Sequence, residues 1–262
     1  MTQNRIDKTF AQISAQKKKA LIAFITSGDP SIDATYEFAL SLFDAGVDIL
    51  ELGVPFSDPV AEGPVIEAAS GRALAAGFKT DRLFEMTKKL RAKTDKPILF
   101  MLYINSIYAY GASKFFSNCR DAGIDGVIVP DLPYEEQNEI AICEDFGIYS
   151  IRLIAPTGVG RIEKITESAK GFLYCVSSEG VTGTRSGFST DFEQFSKEIK
   201  TYGNIPAAVG FGIGTPDQAR ELSKHFDGVI MGSAFVKLIA MHGENAAEHL
   251  HALAKNVKNA LI

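Results

Sequence analysis

Short apolar runs rich in β-branched residues alternate along the chain with longer segments in which apolar positions recur every three or four residues. The short runs predict strands and the longer segments predict amphipathic helices. The eight predicted strands are residues 21–26, 49–52, 98–102, 126–129, 149–154, 172–176, 207–209 and 228–231. The predicted helices are residues 5–16, 33–45, 84–93, 114–122, 135–146, 160–169, 192–200 and 217–225. Repeated strand–helix units are typical of a parallel sheet.

The number of units and the chain length together favour a closed barrel. Eight such units in 262 residues match a (β/α)8 TIM barrel. Because no linker or low-complexity tract divides the chain, we expect a single domain over residues 1–262, with residues 5–16 as an extra N-terminal helix. An open doubly wound sheet is the alternative, but the G-x-G-x-x-G of a dinucleotide site does not follow the first strand.

Composition argues against several classes of protein. Every apolar run is far shorter than the roughly 18 residues that cross a bilayer, and the polar N-terminus lacks the apolar core of a secretory signal. A net charge of −5 disfavours a nucleic-acid surface. The three cysteines are widely spaced and the four histidines lie near the C-terminus, without metal-ligand spacing. We expect a cytoplasmic protein with reduced thiols and with no metal, membrane or nucleic-acid partner.

An acidic stretch, ELGVPFSDPVAEGP at residues 51–64, begins on the second predicted strand. In barrel enzymes the reacting groups lie at the carboxyl ends of strands. Side chains alternate along a strand, so if Leu50 and Leu52 pack against the helices, Glu51 points into the barrel mouth. Burial there raises the pKa of a carboxyl group toward the range of a general acid or base. The alternative is a structural Glu51 paired with a lysine or an amide.

Glycine-rich segments follow the two last predicted strands, GFGIGTP at residues 210–216 and Gly232-Ser233 at the start of a short helix. Glycines let backbone N–H groups approach an anion, and a helix N-terminus adds partial positive charge. These positions are where barrels commonly bind phosphate, which predicts a phosphorylated small-molecule substrate. A further glycine loop, residues 180–187, could close over a ligand or be an ordinary surface loop.

These segments together resemble the tryptophan synthase α-subunit family over nearly the whole chain. The most specific stretch is LELGVPFSDPVAEGPVIEAASGRAL at residues 50–74, supported by AFITSGDP, VPDLPYEE, GVTGTR, VGFGIGTP and GVIMGSAFVK in that order. The resemblance implies a lyase of tryptophan biosynthesis that cleaves indole-3-glycerol phosphate to indole and glyceraldehyde 3-phosphate without a cofactor of its own. It also implies that indole passes to a β subunit, which carries pyridoxal phosphate, in an α2β2 complex.

The resemblance assigns roles to particular residues of this chain. Glu51 matches the general acid/base that protonates C3 of indole, and Glu62 matches the second catalytic carboxylate, which accepts a hydrogen bond from the indole N–H. Asp58 and Asn105 fall in the region that contacts the partner subunit. The implied substrate-binding residues are Phe24, Phe100, Tyr103, Ile154, Tyr174, Thr182 and Phe211. The implied phosphate-binding residues are Gly183, Gly212, Gly232 and Ser233.

One catalytic position departs from the family's pattern. The family commonly has Asp within PLADGP, whereas this chain has Glu62 within PVAEGP. The charge is kept and the side chain is longer by about 1.5 Å, one C–C bond. Two alternatives therefore remain open beside the active α subunit: a weakly catalytic barrel that binds a phosphorylated ligand and activates the β subunit, and a free-standing lyase that releases indole.

Overall fold

The computed structural model describes residues 3–156, 160–176, 191–210 and 212–261. Its strands form one parallel sheet in the order β5-β4-β3-β2-β1-β9-β8-β7-β6. They are β1 Ala20–Thr26, β2 Ile49–Gly53, β3 Ile98–Met101, β4 Gly126–Ile128, β5 Tyr149–Ser150, β6 Arg152–Ile154, β7 Leu173–Val176, β8 Ala207–Gly210 and β9 Gly228–Met231. All eight predicted strands are present.

The sheet is a nearly closed barrel because its two outer strands belong to one segment of chain. β5 pairs with β4 and β6 pairs with β7, and only residue 151 separates β5 from β6. The N–H of Ile151 still donates to the carbonyl of Val127 at 2.9 Å. The predicted strand 149–154 therefore joins the two sides of the barrel, and the TIM-barrel prediction is confirmed.

Most of the helices surround the sheet on its outer side, and the N-terminal helix closes one end of the barrel. The helices are α1 Arg5–Ala15, α2 Ile32–Asp44, α3 Pro64–Ala75, α4 Thr80–Arg91, α5 Ile104–Tyr110, α6 Ala112–Ala122, α7 Ile162–Ser168, α8 Phe192–Tyr202, α9 Pro216–Ser223, α10 Ser233–His242 and α11 Ala247–Ala260. The helices α3 and α5 were not predicted. Each lies in a loop that follows a strand at the barrel mouth, where the sequence pattern is too short or too mixed to show a helical period.

The segment predicted as an ordinary helix over residues 135–146 is a 3₁₀ helix, Tyr134–Phe146. Its sheltered positions recur every third residue, because Ile140 and Cys143 are buried while Gln137 and Phe146 are partly buried. A period of three matches the three residues per turn of a 3₁₀ helix. The segment therefore buries the same narrow face along its whole length.

The barrel strands bury both faces, but against different neighbours. On β2 the side chains of Leu50 and Leu52 join the large cluster between sheet and helices, whereas Ile49 joins the cluster inside the barrel. The interior cluster is closed at the amino ends of the strands by α1, whose Ile6 lies under β4 and β7 and whose Phe10 ring is 5.5 Å from that of Phe172. The carboxyl ends of the strands are left to form the site.

A buried carboxylate fastens α1 to this closed end. Asp125 accepts hydrogen bonds from Arg5 at 2.9 Å, from Arg91 at 2.8 Å and from the N–H of Ile98 at 2.9 Å. A buried carboxylate is tolerated where such donors satisfy it. The predicted N-terminal helix is therefore a structural plug at the end opposite the mouth.

Candidate active site

Glu51 is a buried carboxyl group on β2. It lies beside Phe24 of β1 and Leu99 of β3, which are its neighbours in the two ladders. Its relative exposure is 0%, and among the described residues neither Oε1 nor Oε2 has a hydrogen-bond partner. Because burial among apolar side chains penalises the charged form, the pKa of Glu51 is raised from 4.5 to about 8. The carboxyl group is therefore mainly protonated at neutral pH and can donate a proton.

An apolar pocket opens next to Glu51 at the carboxyl ends of the strands. The empty space in it, including the part open to solvent, is about 450 Å³. Two of its walls, Phe24 and Tyr174, also lie close to Glu51. Phe24 is its ladder neighbour, and the pKa of the Tyr174 hydroxyl is raised by burial and, to a smaller extent, by a charge on Glu51. The lining residues are Phe24, Glu62, Ile66, Met101, Tyr174, Gly212, Ile213, Ile230, Gly232 and Ser233.

The ring of Phe24 is fixed between two glycines. A Cβ atom at Gly53 would lie 2.5 Å from Cζ of Phe24, and one at Gly232 would lie 3.1 Å from its Cδ1. A contact under 3 Å is prohibitively short for carbon atoms, so the ring occupies the place where a side chain at residue 53 would stand. Phe24 thus spans the pocket wall from β2 to the start of α10.

Glu62 lies at the pocket rim, on the loop between β2 and α3. Its Oε2 accepts a hydrogen bond from the hydroxyl of Tyr103, which in turn accepts from the N–H of Ala61 at 2.9 Å. The Tyr103 ring stacks on Phe56 with centroids 4.8 Å apart. Burial raises the pKa of Glu62, and the bond from Tyr103 opposes that rise. The predicted substrate-binding residue Tyr103 therefore holds a catalytic candidate in this structure.

The far side of the pocket is built from backbone. Gly212 has a φ of +88°, a left-handed conformation that favours glycine. Gly232 is the N-cap of α10, Ser233 is its first residue, and no side chain of the described residues caps the helix. Uncapped N–H groups and the helix dipole make such an end attractive to anions. Three of the four predicted phosphate residues, Gly212, Gly232 and Ser233, thus lie together at one pocket wall.

Phe100 and Ile154, predicted to bind the substrate, both lie in the cluster between sheet and helices and are not among the residues that line the pocket. Phe100 packs between sheet and helices against the rings of Phe84 and Phe115, with centroids at 5.7 Å and 6.5 Å. Ile154 pairs in register with Cys175 and joins the same outer cluster.

The inward positions on these strands belong to the neighbouring residues. Met101 lines the pocket, and Leu153 packs against the interior cluster. Glu51 lies opposite Leu99 in the β2–β3 ladder, so alternation along β3 makes residues 99 and 101 the inward ones. Ile66, Ile213 and Ile230 also line the pocket and were not predicted. Their type is that of ordinary core residues, so the sequence carried no signal for them.

The remaining predicted residues lie at the rim or outside the described part of the chain. Asp58 and Asn105 are both exposed, and Asp58 accepts a hydrogen bond from the Ser57 hydroxyl at 2.5 Å. Thr182, Gly183 and Phe211, and the whole glycine loop 180–187, lie outside the described residues.

Within residues 3–156, 160–176, 191–210 and 212–261, no group of three or more His, Cys, Asp or Glu side chains could hold a metal ion. None of the helices in this described part of the chain is long and apolar enough to span a membrane.

The sequence is similar to one family over almost its whole length. The profile of the family described as tryptophan synthase alpha chain matches residues 10–261. A tryptophan synthase alpha chain from a Thermoanaerobacter species is 49% identical over 257 residues, which cover 98% of each chain. That of Lacticaseibacillus casei is 45% identical over 244 residues, covering 93% of this chain and 92% of the relative.

Solved structures are also similar to this chain over almost its whole length. A protein of Aquifex aeolicus superimposes with a TM-score of 0.91 at 36% identity, covering 99% of each chain. The tryptophan synthase subunit alpha of Legionella pneumophila superimposes with a TM-score of 0.88 at 35% identity, covering 99% of this chain and 98% of that one. The Legionella pneumophila structure therefore carries the same family name as the sequence relatives.

Proposed function

The chain belongs to the tryptophan synthase alpha chain family of lyases in tryptophan biosynthesis, and on this premise we propose how its residues cleave indole-3-glycerol phosphate to indole and glyceraldehyde 3-phosphate. The observation that carries the proposal is Glu51, a fully buried carboxyl group beside an apolar pocket, with no hydrogen-bond partner in the part of the chain that the structure describes. With a pKa of about 8, such a group is protonated in about nine molecules of ten at pH 7. It is a general acid at the pH of the cell.

The pocket suits a flat apolar ring at one end and a phosphate at the other. Phe24, Met101 and Tyr174 provide apolar walls for indole, and aromatic rings bind one another in stacked or edge arrangements. We propose that the phosphate binds at Gly212, Gly232 and Ser233, against the dipole of α10. Gly183 is proposed to complete the phosphate site, and Thr182 and Phe211 are proposed to contact the rest of the substrate.

The reaction needs a proton at C3 of indole and the removal of one from the adjacent glycerol hydroxyl. In our proposal Glu51 donates the first proton, which converts the ring to an indolenine cation. The hydroxyl then loses its proton to the ionised Glu51, its electrons form the aldehyde, and the C–C bond breaks. The electrons of that bond return to the ring and restore indole. The buried environment disfavours the ionised Glu51, which promotes its return to the protonated form.

Glu62 is proposed to accept the hydrogen bond of the indole N–H and to stabilise the positive charge of the indolenine. It lines the pocket, and its bond from Tyr103 gives one of its two oxygens a fixed position. In our proposal the other oxygen accepts from the indole N–H. The extra methylene of Glu62, compared with Asp, is accommodated because the Tyr103 hydroxyl holds its carboxylate end.

We further propose a complex with a β subunit at the barrel mouth, in an α2β2 assembly in the cytoplasm, with pyridoxal phosphate in the β subunit and the α chain as one domain. Near Asp58 and Asn105, two large apolar side chains are exposed, Val60 at 74% and Tyr108 at 48%. Apolar side chains exposed close together favour a protein contact. Indole would leave the pocket through this face.

The test is an assay of indole release from indole-3-glycerol phosphate, with the purified chain alone and with a tryptophan synthase β subunit. We expect slow release alone, a strong increase with the β subunit, and a loss in the Glu51→Gln variant of at least about 10³-fold. The variant keeps the shape of the side chain and removes the acid, so ligand affinity should stay within about threefold of the unaltered chain.

The same assay separates the alternatives. Full turnover by the chain alone, with no increase on adding the β subunit, would indicate a free-standing lyase. Ligand binding and stimulation of the β reaction without any cleavage would indicate a regulatory barrel in which Glu62 cannot replace Asp. Near-normal cleavage by Glu51→Gln would remove the proposed role of Glu51.

A further inference from the structure

The side chain of Gln218 joins the glycine loop after β8 to the first turn of α9. Its Oε1 accepts a hydrogen bond from the N–H of Gly214 at 2.8 Å. Its own backbone N–H donates to the hydroxyl of Thr215, the N-cap of α9, at 3.2 Å. Gly214 is two residues from Gly212, and Gly212 and Ile213 both line the pocket.

This arrangement differs from a normal helix cap. In a capping box the residue at the third helical position bonds back to the N–H of the N-cap residue. Here Gln218 reaches one residue further, to Gly214, which precedes the N-cap Thr215. The bond therefore restrains the loop itself in addition to the end of the helix.

Restraint of this loop matters because its backbone is unusually free. Three glycines, at residues 210, 212 and 214, follow one another at alternate positions. Glycine loses more conformational entropy on ordering than any other residue. An anion is bound well by backbone N–H groups only when these already point at it, since ordering them on binding would cost affinity.

We infer that Gln218 is a positioning residue for the phosphate end of the site. It lies in the first turn of α9 and bonds to the loop, and it is not among the described residues that line the pocket. By holding the peptide of Gly214, it fixes the direction of the preceding peptides and so the aim of the Gly212 backbone at the phosphate. The inference rests on the proposed function, because it assumes that Gly212 contacts a phosphate.

The decisive variant is Gln218→Met, which keeps the length of the side chain and removes the acceptor. Asp217→Asn is the matched control, because Asp217 is in the same helical turn, is exposed and pairs with Arg220 at 2.8 Å instead of with the loop. The measurements are the affinities for glycerol 3-phosphate and for indole, the kcat and KM for indole-3-glycerol phosphate, and the exchange rate of the Gly214 amide proton.

We expect Gln218→Met to weaken glycerol 3-phosphate binding and raise KM by about tenfold, the effect of losing one hydrogen bond that orders a binding loop. Indole affinity and kcat should change by less than about twofold, since the ring end and Glu51 are untouched. The Gly214 amide should exchange faster. Asp217→Asn should match the unaltered chain in all ligand measurements. Its midpoint of thermal unfolding should change by an amount comparable to the change in Gln218→Met.

Two results would overturn the inference. Faster exchange at Gly214 with unchanged affinity for glycerol 3-phosphate would show that Gln218 only caps α9. An equal loss of indole and glycerol 3-phosphate affinity would show a general disturbance of the pocket. If the unaltered chain binds neither probe, the proposed function fails together with the inference, and that outcome is recognised without any variant.

Discussion

The hydroxyl of Tyr103 donates a hydrogen bond to the carboxylate of Glu62, although 41 positions separate the two residues in the chain. Tyr103 directly precedes α5, at the end of β3, and Glu62 lies on the loop after β2. The bond therefore ties the acidic loop to the rigid barrel. The bond also favours the ionised form of Glu62, because burial raises the pKa of this carboxyl group and the bond from Tyr103 lowers it.

Tyr103→Phe should lower kcat/KM by about tenfold, since it removes one hydrogen bond to a charged group in the site. Without that bond the pKa of Glu62 rises further, so a higher pH is needed to ionise Glu62. The acid limb of the kcat/KM profile should therefore move to higher pH. Tyr108→Phe is the matched control, because its hydroxyl bonds Glu139 at 3.0 Å on the surface. An unshifted acid limb in Tyr103→Phe would contradict the coupling.

The buried acid also makes folding depend on pH. Glu51 has a pKa of about 8 in the fold against 4.5 in its ordinary state, so the unfolded chain releases this proton at lower pH than the folded chain does. The corresponding stability is present below pH 4.5 and is lost as pH rises through 8. Relative to Glu51→Gln, the unaltered chain should lose about 4 kcal/mol of unfolding free energy between pH 4.5 and pH 8.

Urea denaturation of both chains at several pH values measures this difference, and groups common to both cancel. Parallel pH dependence in the two chains would mean that Glu51 is not buried in its acid form.

Gly53→Ala should displace the ring of Phe24, because the added Cβ would lie 2.5 Å from Cζ. We expect a loss of about 1–3 kcal/mol in unfolding free energy, typical of overpacking, together with a raised KM. Gly71→Ala is the control, since its Cβ meets nothing within 4 Å inside α3. It should stabilise the chain by about 0.5–1 kcal/mol. Thermal or urea unfolding measures the stability of each variant, and ligand titration measures the effect on the site. A Gly53→Ala chain with the stability and ligand affinity of the unaltered chain would refute the contact.

Phe100→Leu should affect stability and leave the site unchanged, because the ring packs against Phe84 and Phe115 on the outer face of the sheet. The expected cost is about 1–2 kcal/mol of unfolding free energy, with KM unchanged. Met101→Ala, one residue further along β3, should raise KM because Met101 lines the pocket. The two KM values distinguish the inner from the outer face of β3. A raised KM in Phe100→Leu would show that the Phe100 ring belongs to the pocket.

The order of the strands, most of the helices, the barrel and the inward direction of Glu51 on β2 could be predicted from the sequence alone. Each depends on a local contrast that the chain displays openly: the change between strand and helix periods, and one acid, Glu51, between two leucines. A charged residue in an apolar strand marks which face turns to the mouth. The glycines after β8 and β9 could likewise be predicted as phosphate-binding candidates, because they directly follow the ends of predicted strands.

Only the tertiary structure decided which residues of the other strands enter the pocket. The strands of a parallel barrel are buried on both faces, so ILFML at residues 98–102 is apolar at every position and gives no sign of its inner side. The register of β3 against β2, which places Leu99 beside Glu51, resolves that choice. The bonds from Tyr103 to Glu62 and from Gly214 to Gln218 likewise depend on side-chain directions that exist only after the barrel has closed.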